Sequence, residues 1–274
     1  MGNINRPIGV FDSGLGGLSV VKELKRVLQN ENIVYFGDTG RIPYGTKSPD
    51  TVIKYAKQDE EFLLQFEVKL IIAACGTVSS VAAFTGDELP VPFIEVVTPT
   101  AKAAVAVSKN NKIGVLGTDT TVNSGSYKNK ILELNPNAEV VQVACPVFVQ
   151  LVESGWIERD NEVTVAAAKR YLQPLLDAEV DTVILGCTHF PAIKDIISDI
   201  CGENVTLINS GEQAALEAAR YLKEHNMLGR GGKTEYYVSD RPQSFASTAK
   251  ILLGSPIDGK VSTVSLDSKT TSSY

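Results

Sequence analysis

The sequence predicts an α/β protein of two similar lobes, each a mostly parallel sheet flanked by helices, with the active site in the cleft between them. Three observations carry this. The runs Leu70-Ile71-Ile72-Ala73-Ala74-Cys75-Gly76-Thr77 and Val183-Ile184-Leu185-Gly186-Cys187-Thr188-His189 are apolar stretches ending abruptly in small and polar residues, the pattern of buried parallel strands. Such runs alternate with segments of helical periodicity, as in sheets built from strand–helix–strand units. The whole series then restarts, each unit recurring about 105–113 residues later, which reads as a duplicated domain and not a short solenoid repeat.

Taken in order, Pro7 to Phe11 is the first strand, followed by the turn Asp12-Ser13-Gly14-Leu15-Gly16-Gly17 and a helix from Leu18 to Leu28. Ile33 to Phe36 is the second strand, ending in Gly37-Asp38-Thr39, and Arg41-Ile42-Pro43-Tyr44-Gly45-Thr46-Lys47 is a loop stiffened by proline. Apolar residues at helical spacing (Val52, Tyr55, Ala56, Phe62, Leu63, Phe66) predict a helix over 48–66. The Cys75 strand, a further helix and a fourth strand over 92–97 complete the first unit. In the repeat, Lys112–Gly117 matches the first strand, and Glu139–Ala144 the second. Helices follow between Pro146 and Gly155 and from Asn161 to Ala178, then the Cys187 strand, then Val205–Asn209. An amphipathic helix from Glu212 to His225 returns to the first lobe, Thr234–Val238 adds an edge strand, and Ser244–Leu253 a last helix. The first lobe is thus expected over 1–97 plus 210–266, the second over 98–209, and a disordered Ser/Thr-rich tail over 267–274.

A net charge of −6 and the lack of a basic stripe argue against a nucleic-acid partner. No run approaches the ~20 apolar residues of a membrane span, and the N-terminus has no signal-peptide core, so no membrane partner is expected and the cytoplasm is the default. Four dispersed cysteines in a reducing compartment read as free thiols.

Strand ends in α/β sheets carry the chemistry, so Cys75 and Cys187 draw the eye. Each could be a small buried hydrophobe, and that is the reading for Cys145 and Cys201. At a strand end opening a helix, however, a thiol gains thiolate character. A phosphatase loop would need arginine six residues on, where Val81 and Ile193 stand. With only two histidines, Cys187-x-His189 lacks a metal-ligand set, so no metal is expected. The Gly-rich turn matches a dinucleotide fingerprint weakly, since its third glycine falls at Ser19. His189 is either a core histidine or a group that orients Cys187 and shuttles protons. Asp12 and Asp38 are either helix caps or acids facing the crevice.

Asp12-Ser13-Gly14-Leu15-Gly16-Gly17-Leu18, Gly37-Asp38, Pro43-Tyr44-Gly45, Ala74-Cys75-x-Thr77 and Gly186-Cys187-Thr188-His189-x-Pro191, in this order, resemble the glutamate racemases. The resemblance runs from Pro7 to Leu253. It implies two α/β lobes, no cofactor, a homodimer, and interconversion of L- and D-glutamate to supply D-glutamate for peptidoglycan. It implies further that Cys75 takes the α-proton of D-glutamate and Cys187 that of L-glutamate, with Asp12, Asp38, Glu153 and His189 as auxiliary acids and bases. Substrate would be bound by Asp12-Ser13, Pro43-Tyr44-Gly45, Gly76-Thr77 and Thr188-His189, with Thr118 and Thr121 holding a carboxylate. Some members take a cell-wall precursor as activator through an N-terminal extension; about six residues precede the first strand here, so no such activation is expected.

One residue departs from the pattern: asparagine normally follows the first cysteine, and Gly76 stands here. Losing that side chain removes a contact to charged substrate worth about 1.5–3 kcal/mol, so weaker or shifted glutamate binding is expected. Other readings remain open at this point, namely a racemase of aspartate or another amino acid, and a non-catalytic amino-acid-binding relative.

Overall fold

The computed structural model describes residues 4–240 and 245–266, so the expected tail at 267–274 and Ser244 of the last helix lie outside the described residues. Strands β1 (Ile8–Asp12), β2 (Ile33–Gly37), β3 (Leu70–Ala73) and β4 (Phe93–Glu95) come from the first unit. Strands β5 (Lys112–Gly117), β6 (Glu139–Ala144), β7 (Thr182–Leu185) and β8 (Thr206–Asn209) come from the second, and β9 (Thr234–Val238) and β10 (Val261–Thr263) close the chain.

The strands form two parallel sheets, ordered β10-β9-β2-β1-β3-β4 and β6-β5-β7-β8. The order β2-β1-β3-β4 is repeated as β6-β5-β7-β8, so the duplication read from the sequence is a duplication of topology. Register is repeated too: Phe11 pairs with Ala73 as Leu116 pairs with Leu185, the last pairs of their ladders. One expectation is corrected. β9 is not an edge strand, because β10 pairs with it in parallel through Val261–Tyr236 and Thr263–Val238. A three-residue strand, Val261-Ser262-Thr263, carries no apolar run by which it could be recognised.

β1, β2, β3 and β7 are buried along their whole length, which is why they read as continuous apolar runs. The helix Leu18–Val27 buries Leu18, Val20, Val21 and Leu24 and ends in Lys25 and Arg26, which complement its C-terminal dipole. The helix Pro49–Leu64 starts cleanly because Ser48 caps the Thr51 amide and proline occupies its first turn. A helix not foreseen, Val97–Val107, covers one face of the second sheet, where Val97, Ala101 and Ala104 join Ile113, Val115 and Ile184. Asn209 caps the helix Ser210–Glu224, its side chain accepting from the Gly211 amide at 3.0 Å. That helix crosses back to the first lobe, where Gly211 meets Val20 and Glu212 pairs with Arg26 at 2.6 Å.

Candidate active site

In each sheet the strand order reverses beside β1 or β5, and the carboxyl ends on either side of that point form a natural crevice. The chain places a cysteine in the same position in both. Cys75 stands two residues past β3 and Cys187 two past β7. The two crevices face one another across a single cavity of about 300 Å³. The first lobe lines it with Ser13, the Pro43-Tyr44-Gly45 loop, Cys75, Gly76 and Thr77, and the second with Thr118, Glu153, Cys187, Thr188 and His189. Asp12, Asp38 and Thr121 stand behind this lining.

The two thiols are unlike each other. Cys75 is 5% exposed and precedes the short helix Gly76–Val81; its Sγ donates to Ser13 Oγ at 3.4 Å. Burial, and then the negative charge of Asp12, push this thiol up to about 12. Burial and Asp12 thus act against the thiolate character expected at a helix N-terminus. A six-residue helix offers too small a dipole to offset desolvation beside a carboxylate. Cys187, 6% exposed, has a basic partner instead: its Sγ lies 3.9 Å from His189 Nδ1, and His189 Nε2 lies 3.0 Å from Glu153 Oε1. Burial alone would drive His189 toward neutrality, but the bonds to Cys187 and Glu153 outweigh it and hold the imidazole up at about 10. His189 thus stands between the Cys187 sulfur and the Glu153 carboxylate, which favour its charged form, and is not a core histidine with one backbone partner.

Asp12 is buried beneath Ser13. Its Oδ2 accepts the Gly14 amide at 2.9 Å, while among the described residues no group meets the hydrogen-bond geometry at Oδ1. It caps no helix, since the helix at Leu18 starts from Gly17 without a side-chain cap. Burial raises its pKa against the opposing pull of His189 and of the Gly14 and Gly17 amides.

Asp38 lies under the Pro43-Tyr44-Gly45 loop. It accepts from Arg41 Nε at 2.5 Å, from Ser239 Oγ at 2.7 Å and from the Tyr44 hydroxyl. Asp59, also fully buried, shares the same partners: Arg41 Nη2 at 3.0 Å and the Tyr44 hydroxyl at 3.2 Å. Burial and the neighbouring Asp38 raise the Asp59 pKa well above the carboxylate range. This network fixes the wall of the cavity. Arg41, Asp59 and Ser239 were not foreseen, yet Asp59 had a signal: it falls on the buried stripe Val52, Ala56, Asp59, Leu63, a charged residue where the helix needs an apolar one.

On the opposite wall, hydroxyls form a chain across the cleft. Thr77 Oγ1 lies 3.0 Å from Thr118 Oγ1, which lies 3.0 Å from Thr121 Oγ1. Thr120 Oγ1 donates to the Gly45 carbonyl at 2.7 Å, tying the loop of one lobe to the other. Among the described residues no cluster of three or more His, Cys, Asp or Glu side chains forms a metal-ligand set.

Comparison with known proteins agrees with this arrangement. Residues 8–219 match the family model described as Asp/Glu/Hydantoin racemase. A protein named glutamate racemase from Geobacter metallireducens is 42% identical over 268 residues, covering 96% of this chain and 98% of that one. The crystal structure of glutamate racemase from Francisella tularensis in complex with D-glutamate superposes with a TM-score of 0.89 at 40% identity, covering 97% of this chain and all of that one. A glutamate racemase isoform from Bacillus anthracis gives a TM-score of 0.91 at 36% identity, covering 96% and 99% of the two chains. With the duplicated sheets, the paired cysteines and the full-length likeness together, the chain belongs to the Asp/Glu/hydantoin racemase family.

Proposed function

We propose that this chain interconverts L- and D-glutamate by two-base proton transfer between Cys75 and Cys187, without a cofactor, and so supplies D-glutamate for peptidoglycan synthesis. One observation carries the reading: two thiols at equivalent strand ends of duplicated lobes line the same cavity. A single base returns a proton to the face from which it came, whereas groups on opposite faces invert the centre. In the L-to-D direction the Cα–H bond breaks toward the Cys187 sulfur, its electron pair spreads into the substrate carboxylate, and the Cys75 thiol delivers its proton to the other face. The reverse direction exchanges the two roles.

His189 and Glu153 sit behind Cys187, and the imidazolium stabilises negative charge on that sulfur. Among the described residues Cys75 has no such cation beside it. The Asp12 carboxylate nearby opposes its ionisation, and a substrate ammonium entering the cavity offsets that charge, so that Cys75 becomes a usable base when glutamate is bound. The Thr77–Thr118–Thr121 hydroxyls and the Ser13 hydroxyl are donors suited to substrate carboxylates, and Asp38 acts on the site through the Tyr44 loop that it anchors. Sheet membership supports lobe boundaries near Val97 and Asn209. Family membership supports a cytoplasmic homodimer.

The test is to incubate L-glutamate with the purified protein, without pyridoxal phosphate, and follow its ellipticity. Decay to zero is expected as the racemic mixture forms. Unchanged ellipticity with glutamate binding intact would favour a non-catalytic binding protein.

A further inference from the structure

The two thiol-bearing turns touch each other directly, and they do so through glycine. A Cβ placed on Gly76 would lie 2.2 Å from the carbonyl oxygen of Gly186 and 3.4 Å from its carbonyl carbon; the next nearest atom is Thr121 Oγ1, at 3.8 Å. All three atoms belong to the opposite lobe. Outside its chain neighbours and its own helical turn, no described atom of Gly76's own lobe comes as near, and its φ lies outside the left-handed region that favours glycine. Gly76 occupies the first turn of the helix Gly76–Val81, where alanine is the better helix former. The local structure therefore has no need of glycine at 76. The opposing lobe does.

The obstacle across the cleft cannot step aside. Gly186 is main chain, its amide donates to the Leu116 carbonyl at 2.8 Å, and a Cβ on it would meet that same oxygen at 2.7 Å and the Tyr127 ring at 3.0 Å. Gly186 is boxed in, so a side chain on Gly76 is relieved only by the lobes moving apart. A carbon–oxygen contact settles at about 3.3 Å, which sets that movement at about 1 Å. Cys75 immediately precedes one glycine and Cys187 immediately follows the other. Opening the contact therefore separates the two sulfurs and stretches the Thr77–Thr118 bond that spans the same cleft.

We propose that the backbone contact between Gly76 and Gly186 is the stop that sets how closely the two lobes approach, which makes Gly76 a positioning residue for the thiol pair. The contact stands on geometry alone; its effect on rate rests on the two-thiol racemisation proposed above. On this proposal glycine at 76 does more than forfeit a side-chain contact, because the Cβ of an asparagine there would meet the Gly186 carbonyl oxygen at 2.2 Å.

Alanine separates the two accounts, since it adds a Cβ but no hydrogen-bonding group. The experiment compares the parent with Gly76→Ala and Gly76→Asn in three readouts. These are thermal unfolding, the rate at which iodoacetamide modifies Cys75 and Cys187 (resolved by peptide mass mapping without substrate), and racemisation kinetics. Both variants are expected to fold and to be alkylated at the two thiols about tenfold faster, the size of a modest overpacking penalty. In both, kcat is expected to fall by about 10–100-fold, as a misplacement near 1 Å implies. Unchanged alkylation in the alanine variant would overturn the proposal, as would an asparagine variant at least as active as the parent. So would failure of the alanine variant to fold, because the first lobe is held to accept a Cβ. Faster alkylation with unaltered racemisation would overturn the positioning role. If the parent does not racemise glutamate, alkylation still decides the contact and only the functional reading falls.

Discussion

Replacing Glu153 by glutamine tests the electrostatics behind Cys187. The amide preserves shape and an acceptor oxygen for His189 Nε2, now 3.0 Å from Glu153 Oε1, but removes the charge. A charge-assisted hydrogen bond contributes about 1.5–3 kcal/mol and a neutral one about 0.5–1.5, so the substitution forfeits about 1–1.5 kcal/mol. The Glu153 side chain is 39% exposed, and solvent screening trims this to about 1 kcal/mol. At 1.36 kcal/mol per pKa unit, His189 should then titrate somewhat under about one unit below its present position near 10. The sign follows from linkage. A histidine raised above its ordinary 6.5 contributes stability that is fully present below that pH and is lost as pH rises through about 10. Parent and variant should therefore differ by about 1 kcal/mol in unfolding free energy at pH 7 and converge above pH 10. The chain has only two histidines, so the imidazole resonances are few, and His225, at the end of the helix Ser210–Glu224, serves as the reference signal. A His189 resonance titrating near 7 in the parent, or one unmoved by Glu153→Gln, would refute this reasoning.

Three further substitutions probe the scaffold. Arg41→Met leaves Asp38 and Asp59 buried without their shared cation, so the Tyr44 wall should loosen and the KM for glutamate rise by about tenfold, as the loss of a charge-assisted bond implies. Asp59→Asn should stay within a few-fold of the parent, because burial already favours the neutral carboxyl whose shape asparagine reproduces; a loss as large as that of Arg41→Met would contradict this. Lys69→Met strands Glu31, since the two side chains form a buried pair at 2.5 Å. Leaving one member of such a pair costs about 3–5 kcal/mol, and a scanning calorimeter should record a drop in Tm of roughly 10 °C.

Where the sequence alone was legible, it was because one physical signal dominated. Leu70–Ala73 and Thr182–Leu185 are buried on both faces, so their apolar runs and abrupt ends located the strands and placed a cysteine beyond each. The duplication was visible because it preserved strand spacing. Legibility failed where the deciding partner is distant in sequence. Val261–Thr263 becomes a strand through its pairing with β9, without any pattern of its own. At Cys75, burial and Asp12, 63 positions earlier, outweigh the helix that it opens, whose Val78 amide pulls the other way. Asp38 reads from the sequence as either a helix cap or a crevice acid; Arg41 and Tyr44 of the neighbouring loop and the distant Ser239 hold it beneath that loop. Gly76 stood out in the sequence as a departure from the family pattern, but its crowding is invisible until the Gly186 carbonyl of the other lobe is brought against it.

The central claim, one thiol for each face, is tested most directly by solvent deuterium exchange at the substrate α-carbon in single-cysteine variants. Since the equilibrium constant of a racemisation is one, kcat/KM must be equal in the two directions for any variant, so rates of racemisation alone cannot assign a face to a sulfur. Exchange can. In D2O, Cys187→Ala retains the thiol assigned to D-glutamate and should exchange the α-proton of that enantiomer with retention, leaving L-glutamate untouched. Cys75→Ala should do the reverse, and neither variant should racemise at an appreciable rate. Exchange of both enantiomers by either single-thiol variant, or racemisation at the parent's rate by one of them, would contradict the account.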